Sequence, residues 1–366
     1  MDFLHHRFLE GDDSRANPPA KTNLDSVKEG SLMGKLTDTG LYTSDESSFP
    51  PAEGLPHVVQ FEVTAGCKHN RCTYCTLFKG VKFHQKDFGE YKKHVDGVWD
   101  GIRRLESPSA LNRLERIFIG GGDALCVDTN ELKKMIRYTI DSFLKNVGRL
   151  PKRTAIYGNT QDLLKKGREQ LEILNCGGVC GNCSLDYFGT KKSLDLVYWG
   201  IESGSDDVLK YVGKGCTTED LEKAAKSIPK TVSRDIRVSA MIMPGLGGMK
   251  YYDKHVSDTV KIINSLGPEF LTFMSIKMHE NSSYARRMQE EERAGINRPL
   301  KPYELAQQIL SMMEGLRIST RIGCYGREIL PEAANPIEFG PVNYVYYNPG
   351  NLLKQIGKQT KRLKRT

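Results

Sequence analysis

Long apolar stretches are missing from this sequence of 366 residues. No run approaches the roughly 18 consecutive apolar residues that a helix needs to cross a membrane. The first residues, MDFLHHRFLEGDDSR, also lack the basic and then apolar pattern of a secretory signal. Hydrophobic residues make up 39% of the chain and charged residues 27%. We therefore expect a soluble, cytoplasmic protein with no membrane partner.

The cysteines do not form the even, spread-out set that a disulfide framework uses. There are nine of them, and six fall into two tight groups, at residues 67–75 and 176–183. Such grouping favours a reducing compartment and metal ligation.

The net charge of +8 is unevenly distributed along the chain. Residues 354–366 carry six basic residues and no acidic one, whereas residues 1–53 carry ten acidic and five basic. A basic tail can meet RNA or an acidic protein partner. It can equally be a solvated tail that aids solubility, since no aromatic or glycine-rich RNA motif accompanies the charge.

Composition and periodicity divide the chain into four regions. Residues 1–53 form a polar extension, predicted to be partly disordered. Residues 54–290 form an α/β core with a cysteine-rich insertion at 175–192, on a connection between a helix and a strand. Residues 291–353 are a helical and loop extension, and residues 354–366 are the basic tail.

Apolar, strand-like segments alternate with amphipathic, helix-like segments in the core. The predicted strands are residues 57–63, 116–121, 153–158, 194–201, 235–243 and 269–276. The main predicted helices are residues 92–105, 129–147, 161–174, 218–228 and 253–267. This order predicts an α/β fold with a parallel sheet, built as a partial or complete (β/α) barrel.

Three cysteines follow the first predicted strand with the spacing C-x4-C-x2-C: Cys67, Cys72 and Cys75. Three thiolates can hold three irons of a [4Fe–4S] cluster and leave the fourth iron open to a small molecule. A structural zinc site normally uses four protein ligands and no open position. Free or zinc-binding cysteines are the alternative interpretation.

Four motifs occur in order over residues 57–330, and together they resemble the radical S-adenosylmethionine (SAM) enzymes. The matching segments are GCKHNRCTYC (66–75) with FKGVKF (78–83), FIGGGDAL (118–125), GIESGSDDVLKYVGKG (200–215) and IMPGLGG (242–248). The commonest family spacing is C-x3-C-x2-C. The extra residue here makes the chain most similar to an Fe–S oxidoreductase subgroup.

The resemblance implies that Cys67, Cys72 and Cys75 ligate a [4Fe–4S] cluster whose open iron binds SAM. Reductive cleavage of SAM would give a 5′-deoxyadenosyl radical that takes hydrogen from a substrate the sequence does not identify. A reductant such as ferredoxin or flavodoxin would supply the electron. The alternative function is a non-catalytic Fe–S or zinc protein, such as an RNA-binding subunit of a modification complex.

The same resemblance implies a set of SAM contacts. These are Tyr74 beside the adenine, Gly120, Gly121, Gly122 and Asp123 near the ammonium, and Glu202 and Ser203 near the ribose or amino-acid portion. Each also has a structural interpretation: an aromatic filler, a tight turn and a buried carboxylate, respectively. Weaker candidates are Asn159 and the glycines 245, 247 and 248.

A second group, Cys176, Cys180 and Cys183, has the spacing C-x3-C-x2-C, which is the commonest one for the catalytic cluster. Its place between a helix and a strand puts it on the face opposite the catalytic edge. A second Fe–S cluster, a structural zinc site and unligated cysteines all remain open. Both metal interpretations want a fourth ligand, which Cys216 or Cys324 could supply if the fold brings one close.

Overall fold

The apolar segments of the core form strands of one large sheet in the computed structural model. In chain order the strands are β1 (Val58–Ala65), β2 (His84–Gln85), β3 (Arg116–Gly121), β4 (Arg153–Gly158), β5 (Leu196–Glu202), β6 (Lys230–Thr231), β7 (Arg234–Asp235), β8 (Arg237–Ile242), β9 (Phe270–Phe273), β10 (Arg321–Cys324) and β11 (Tyr346–Tyr347). β6 and β7 make a separate two-stranded hairpin.

The structure describes residues 58–105, 111–176, 193–231, 234–274, 276, 278–280, 282–317, 321–324, 346–347, 357 and 360–361. The expectations for the extension at 1–53, for most of the cysteine-rich insertion and for most of the basic tail lie outside these residues. The domain boundaries drawn from the sequence therefore stay predictions.

The strands of the large sheet lie in the order β11-β10-β9-β8-β5-β4-β3-β1-β2. Neighbours from β1 through β10 in this row pair in parallel, and only the two-residue strands β2 and β11, at the edges, are antiparallel. Within the described residues the sheet does not close on itself. The predicted α/β fold is confirmed, in its partial rather than its complete form.

Helices cover one face of the sheet. They are α1 (Phe88–Leu105), α2 (Thr129–Val147), α3 (Thr160–Asn175), α4 (Asp206–Tyr211), α5 (Thr218–Ser227), α6 (Tyr252–Leu266), α7 (Ser283–Arg293) and α8 (Pro302–Gly315), with short 3-10 turns at Ala124–Cys126 and Met249–Tyr251. No helix in the described part of the chain is both long and apolar enough to cross a membrane.

Alternation of side chains along each strand separates two faces. Phe61, Ile119 and Trp199 point into the core shared with the helices and are fully buried. The opposite face carries a smaller cluster that includes Phe118 and Tyr198. Apolar area buried between sheet and helices supplies the main stabilising term.

Helix ends are set by the capping residues that the sequence supplies. The carboxylate of Asp128 accepts hydrogen bonds from the backbone N–H groups of Asn130 and Glu131 at the start of α2. Gly148, with φ of 77°, ends the same helix in the left-handed conformation. This is why the predicted bounds of residues 129–147 match the observed helix.

All six predicted strands are present, with ends that differ from the predicted ones by at most three residues. The parallel strand β10 was missed, because its four residues, RIGC, are too few to show a period. It lies in the segment that was predicted to be a helical and loop extension.

We predict that a buried hydroxyl pair between α1 and α2 stabilises the fold more than an exposed one between the same helices. The Tyr91 hydroxyl lies 2.6 Å from the Thr139 hydroxyl, both fully buried, whereas Tyr138 donates to Asp96 over 2.7 Å at the surface. Tyr91→Phe should lower the free energy of unfolding by about 1 kcal/mol, and Tyr138→Phe by less than about 0.5 kcal/mol. Urea unfolding measures both, and equal losses would contradict the prediction.

Candidate functional site

The chemically distinctive motifs meet at the carboxyl edge of the sheet. β1 is followed by the cysteine loop (residues 66–83), β3 by the GGGD motif, and β5 ends at Glu202. β8 leads into the glycine-rich segment 244–248. Because parallel strands end at one edge, segments distant in the sequence become neighbours, as the motif order predicted.

The glycines that follow β3 allow close packing against β1 and the cysteine loop. A Cβ on Gly121, whose φ is 105°, would overlap the carbonyl oxygen of Thr64. A Cβ on Gly122 would overlap the carbonyl oxygen of Gly66, at the base of the loop. These glycines therefore let the loop pack directly against the sheet. This role is additional to the contact with SAM that the resemblance implied. Gly120 is constrained in the same way by the side chain of Gln60.

The cysteine loop folds back on itself through one asparagine. The Asn70 side-chain amide donates to the Phe78 carbonyl over 2.9 Å, and the Lys79 ammonium donates to the Asn70 carbonyl over 2.6 Å. Asn70 has a φ of 38°, in the left-handed region that asparagine tolerates. Its backbone N–H also donates to the Cys67 sulfur over 3.4 Å.

The far side of the loop is attached to the segment after α4 and to the start of α7. The Thr73 N–H donates to the Val212 carbonyl over 2.9 Å, and the Tyr284 N–H donates to the Thr73 carbonyl over 3.1 Å. His69 Nε2 donates to the Gly213 carbonyl over 2.8 Å. The loop is thus held by backbone groups from two parts of the fold, the segment after α4 and the start of α7.

The three thiols of the loop differ in their electrostatics. Burial raises the pKa of Cys67 and of Cys75 above the usual thiol value. Burial acts in the same direction on Cys72, but a hydrogen bond with His69 and the charge of Lys214 outweigh it, so the pKa of Cys72 is lowered. A Cys72 thiolate also opposes ionisation of the other two thiols, so Cys72 lies within electrostatic reach of both Cys67 and Cys75.

In the described part of the chain, no three Cys, His, Asp or Glu side chains lie in metal-binding geometry. The three thiols therefore do not converge on one point. Their chemistry still fits an iron–sulfur cluster, because they are half-buried soft donors and Cys72 lies within electrostatic reach of the other two. A cationic iron group would relieve their mutual repulsion once they are deprotonated.

Glu202 occupies a strained position at the end of β5. A bulge interrupts the pairing with β8 between Gly200 and Glu202, and Glu202 has a φ of 64°. Its Oε1 accepts from the Lys214 ammonium over 3.0 Å, with side-chain exposures of only 10% and 11%. Burial favours a neutral lysine, but the charges of Glu202 and Cys72 prevail and raise the pKa of Lys214.

The second carboxylate oxygen of Glu202 is an unusual feature. Oε2 is buried and accepts no hydrogen bond from any described residue. A buried carboxylate oxygen without a donor is costly, and such groups are found where a ligand supplies the donor. Backbone strain at the same residue is a second sign of a functional position.

Ser203 faces away from this carboxylate, into a buried network. Its hydroxyl donates to Nδ1 of His255 over 2.9 Å and accepts from the Ser205 N–H over 3.0 Å. His255 Nε2 donates to the Met243 carbonyl over 3.0 Å. His255 thus joins the ends of β5 and β8, and the fully buried Ser203 supports the edge instead of lining it.

Asp123 lies in a cluster of buried polar groups next to the loop. The Asn159 side chain donates to Asp123 over 2.7 Å and also accepts from the Asp162 N–H at the start of α3. Burial and the neighbouring carboxyl group of Asp162 raise the pKa of Asp123 to about 8. Asn159, a weaker candidate from the sequence, therefore caps a helix and orients Asp123.

Tyr74 and the segment 244–248 lie at the other side of the edge. Tyr74 is half-buried against an apolar cluster that includes Tyr211 and Tyr284. The Gly247 N–H donates to the Tyr284 hydroxyl over 3.0 Å, and the Gly245 N–H donates to Gln308 over 2.7 Å. These hydrogen bonds hold the glycine segment against Tyr284 and Gln308. The three glycines at 245, 247 and 248 all have positive φ.

Two residues of the edge were not singled out from the sequence, Lys214 and His69. Lys214 lies inside the quoted segment GIESGSDDVLKYVGKG, and His69 lies between the first two cysteines. Both were visible in the motifs, but neither has a spacing that predicts its partner. Only the fold brings Lys214 to Glu202 and His69 to the Gly213 carbonyl.

The second cysteine group is only partly described. Cys176 is buried and disulfide-bonded, whereas Cys180 and Cys183 lie outside the described residues. Cys216 is hydrogen-bonded to Thr160, which begins α3, and Cys176 follows the other end of that helix. The suggestion that Cys216 supplies a fourth ligand stays a prediction, because Cys180 and Cys183 lie outside the described residues.

Cys126 is half-buried in the turn after β3. Burial and the nearby carboxyl groups of Asp123 and Asp162 raise the pKa of its thiol to about 12. The side chain of Cys324, the other suggested ligand, lies outside the described residues. A second Fe–S cluster or a zinc ion at residues 176–183 stays a prediction, and it requires Cys176 as a free thiolate and not in a disulfide.

The class of site is thus a thiol loop, a buried carboxylate and a glycine segment at the carboxyl edge of an open parallel α/β sheet. No protein-family model and no curated protein matches the chain. Among solved structures, it is similar to Elp3 of the archaeon Methanocaldococcus infernus, with 14% identity and a TM-score of 0.47. That match covers 83% of this chain but only 63% of the Elp3 chain.

Two further solved structures are similar to the chain. Methylornithine synthase (PylB) has 12% identity and a TM-score of 0.44, over 81% of this chain and 77% of that one. The coproporphyrinogen III oxidase HemN of Escherichia coli, described as a radical SAM enzyme, has 13% identity and a TM-score of 0.39, over 76% and 59%. At such low similarity, the activity of this chain has to be argued from its own residues.

We predict a pH dependence of stability that arises from His255. Burial lowers the pKa of this imidazole to about 4, from an ordinary value of 6.5. Between pH 6.5 and pH 4, the unfolded chain therefore binds a proton at this imidazole and the folded chain does not. The free energy of unfolding decreases as the pH falls through this range. The titration of His255 should lower the free energy of unfolding by about 2 kcal/mol between pH 7 and pH 5.

Comparison with His255→Gln isolates this effect, because other titrating groups contribute equally to both proteins. The variant should be less stable than the wild type at pH 7, and the gap should narrow as the pH falls to 5. Urea unfolding at several pH values provides the test. A gap that is independent of pH would show that His255 is not held neutral in the fold.

Proposed function

We propose that the chain is a radical SAM enzyme whose cysteine loop holds a [4Fe–4S] cluster through Cys67, Cys72 and Cys75. The observation that carries the proposal is the buried, unpartnered Oε2 of Glu202 at the same sheet edge as the three thiols. The Lys214 charge interacts with both Cys72 and Glu202. A cofactor seated there would touch the metal ligands and the carboxylate together.

The cluster, when bound, supplies one electron that breaks a carbon–sulfur bond of SAM, giving methionine and a 5′-deoxyadenosyl radical. The residues of the chain would bind the cluster and orient SAM. Lys214 and the hydrogen bond from His69 favour the Cys72 thiolate, which is the form that ligates iron. The glycines after β3 bring the loop to the edge where SAM would lie.

The remaining SAM contacts follow from the same arrangement. We assign the free oxygen of Glu202 to a hydroxyl or ammonium donor of SAM, since either would satisfy it. Asp123, held by Asn159, would face the ammonium, and Tyr74 the adenine. Ser203 receives a supporting role, because both of its hydrogen bonds are made within the protein.

We predict that SAM cleavage requires the first cysteine group and does not require the second. After anaerobic reconstitution with iron and sulfide, dithionite and SAM should yield 5′-deoxyadenosine and methionine, quantified by chromatography. Replacing Cys67, Cys72 and Cys75 with Ala should abolish the products, because the donors of the cluster are removed. The matched control replaces Cys176, Cys180 and Cys183 with Ala, and should retain at least part of the activity.

Two outcomes would overturn this assignment. Reconstituted protein that binds SAM but never cleaves it would exclude the catalytic function. Loss of cleavage only in the control would mean that the two groups have been assigned in reverse. Metal analysis tests the alternative function, since a chain that holds zinc and no iron would be a structural metal protein.

We also predict that Glu202 contributes directly to SAM affinity. Glu202→Gln should weaken SAM binding to the reconstituted protein about tenfold or more, because a charge-assisted hydrogen bond is lost. Isothermal titration under anaerobic conditions measures this. Glu291→Gln is a matched control, since that carboxylate is already bonded to Tyr211, Asn297 and Arg287.

Glu202→Gln also leaves Lys214 buried without its ion-pair partner, which can destabilise the fold. The double variant Glu202→Gln/Lys214→Met removes both charges and separates the two effects. It should regain thermal stability but not SAM affinity. Tight SAM binding by a stable double variant would show that Glu202 does not contact the cofactor.

A further inference from the structure

One residue, Tyr284, is hydrogen-bonded to both the cysteine loop and the glycine segment 244–248. Its backbone N–H donates over 3.1 Å to the carbonyl of Thr73, which lies between the second and third cysteines of the loop. Its side-chain hydroxyl accepts from the Gly247 N–H over 3.0 Å. The two segments follow β1 and β8, and three other strands lie between these in the sheet. Tyr284 therefore joins two parts of the edge that the sheet itself holds apart.

The backbone half of this connection comes from the start of a helix. Tyr284 is the second residue of α7, and the first N–H groups of a helix have no partner within it. Ser282 caps the helix by accepting from the Ala285 N–H over 3.0 Å. The Tyr284 N–H, which the cap does not use, is bonded to the cysteine loop instead.

The side-chain half depends on a ring that is held in place. Tyr284 is fully buried and packs edge-on against Tyr211, with ring centroids 6.0 Å apart and an interplanar angle of 90°. The Tyr211 ring is covered by the Arg287 guanidinium at 3.8 Å, and its hydroxyl donates to Glu291 over 2.8 Å. Because both rings are enclosed, the Tyr284 hydroxyl has one position and cannot follow the glycine segment if that segment moves.

Asn297 holds the same glycine from its carbonyl side. The Asn297 amide donates to the Gly247 carbonyl over 2.9 Å and accepts from the Lys250 N–H over 2.9 Å. Asn297 is itself buried. Both backbone polar groups of Gly247 are thus bonded to buried side chains, one at the start of α7 and one after its end.

Tyr74 connects this arrangement to the cofactor. Its ring packs against the apolar cluster that contains Tyr284 and Tyr211. Under the proposed function, Tyr74 faces the adenine, and the glycine segment is the wall opposite the cysteine loop. Tyr284 therefore lies beneath the place where the adenosyl part of SAM would be bound.

We propose that Tyr284 is a positioning residue, which fixes the separation between the cysteine loop and the glycine segment so that the adenosyl part of SAM fits between them. The inference rests on the proposed function, since the separation matters only if SAM is bound there. Tyr284 acts through Thr73 and Gly247 and does not need to touch the cofactor. A gap that is fixed in advance binds its ligand more tightly, because less ordering accompanies binding.

Removal of a single hydroxyl tests this role. Tyr284→Phe deletes the acceptor of the Gly247 N–H and keeps the backbone bond to Thr73. The matched control, Tyr211→Phe, deletes a hydroxyl of the same cluster that donates to Glu291, and leaves the hydrogen bonds of the glycine segment in place. Anaerobic isothermal titration of the reconstituted proteins measures the affinity for SAM and for methionine, which lacks the adenosyl group.

Tyr284→Phe should bind SAM about tenfold more weakly than the wild type, because a buried N–H is left without its acceptor and the wall moves. Its affinity for methionine and its iron content should stay within about twofold of the wild type. The control should keep both affinities within about twofold. A merely structural role of Tyr284 would lower the two affinities together.

Hydrogen exchange in the full chain without a cluster gives a second measurement. The Gly247 amide should exchange about tenfold or more faster in Tyr284→Phe, and at the wild-type rate in Tyr211→Phe. If Tyr284→Phe does not fold, Asn297→Asp takes its place, because it removes the N–H donated to the Gly247 carbonyl and keeps the acceptor for Lys250. It should show the same selective loss of SAM affinity.

The two kinds of failure can be told apart. If the reconstituted wild type binds no SAM, the proposed function fails, and the exchange rate still decides whether Tyr284 holds the glycine segment. An unchanged exchange rate in Tyr284→Phe would overturn the inference. Faster exchange with unchanged SAM affinity would also overturn it, since the glycine segment would then not border SAM. So would an equal loss of affinity for SAM and methionine.

Discussion

The candidate site depends on the close approach of β3 to the base of the cysteine loop. Where β3 ends, Gly121 and Gly122 lie against the carbonyl groups of Thr64 and Gly66 so closely that no side chain fits between them. Any Cβ there would push the loop away from the sheet. The thiols, the Glu202 carboxylate and the Lys214 ammonium could not then share one edge, since each reaches it from a different strand or loop.

Near this contact, Glu202 combines a charged group with a strained backbone at the edge where a cofactor would bind. Glu202 holds a positive φ, which costs about 1–3 kcal/mol, and keeps one buried oxygen without a donor. Neighbouring residues offset these two unfavourable terms. Lys214 pairs with the other oxygen of Glu202, and the hydrogen bonds of Ser203 and His255 join the ends of β5 and β8. The edge is rigid because its supports are buried.

The sequence predicted the sheet well because its strands are buried on both faces and its helices are amphipathic. Six strands and the bounds of α2 were found from the apolar and amphipathic pattern of the sequence. The cysteines, GGGD and Glu202 were found from motifs. Three things could not be predicted: the four-residue β10, the partners of Lys214 and His69, and the buried orientation of Ser203. Each depends on contacts between segments far apart in the chain.

The contacts beneath the cysteine loop also distinguish a base, where the number of residues is constrained, from an outer part, where it can vary. The base is fixed, because Gly66 must meet Gly122 and the segment at Val81. The residue that lengthens the cysteine spacing lies farther out, among residues 68–71, where Asn70 turns the chain by adopting a positive φ. An insertion or deletion there leaves the contact between the glycines and the base of the loop unchanged, but it moves Asn70 and His69, which fold and attach the loop. Loops of different spacing can therefore share the same base on the sheet, provided that the glycines are kept and the outer hydrogen bonds are replaced.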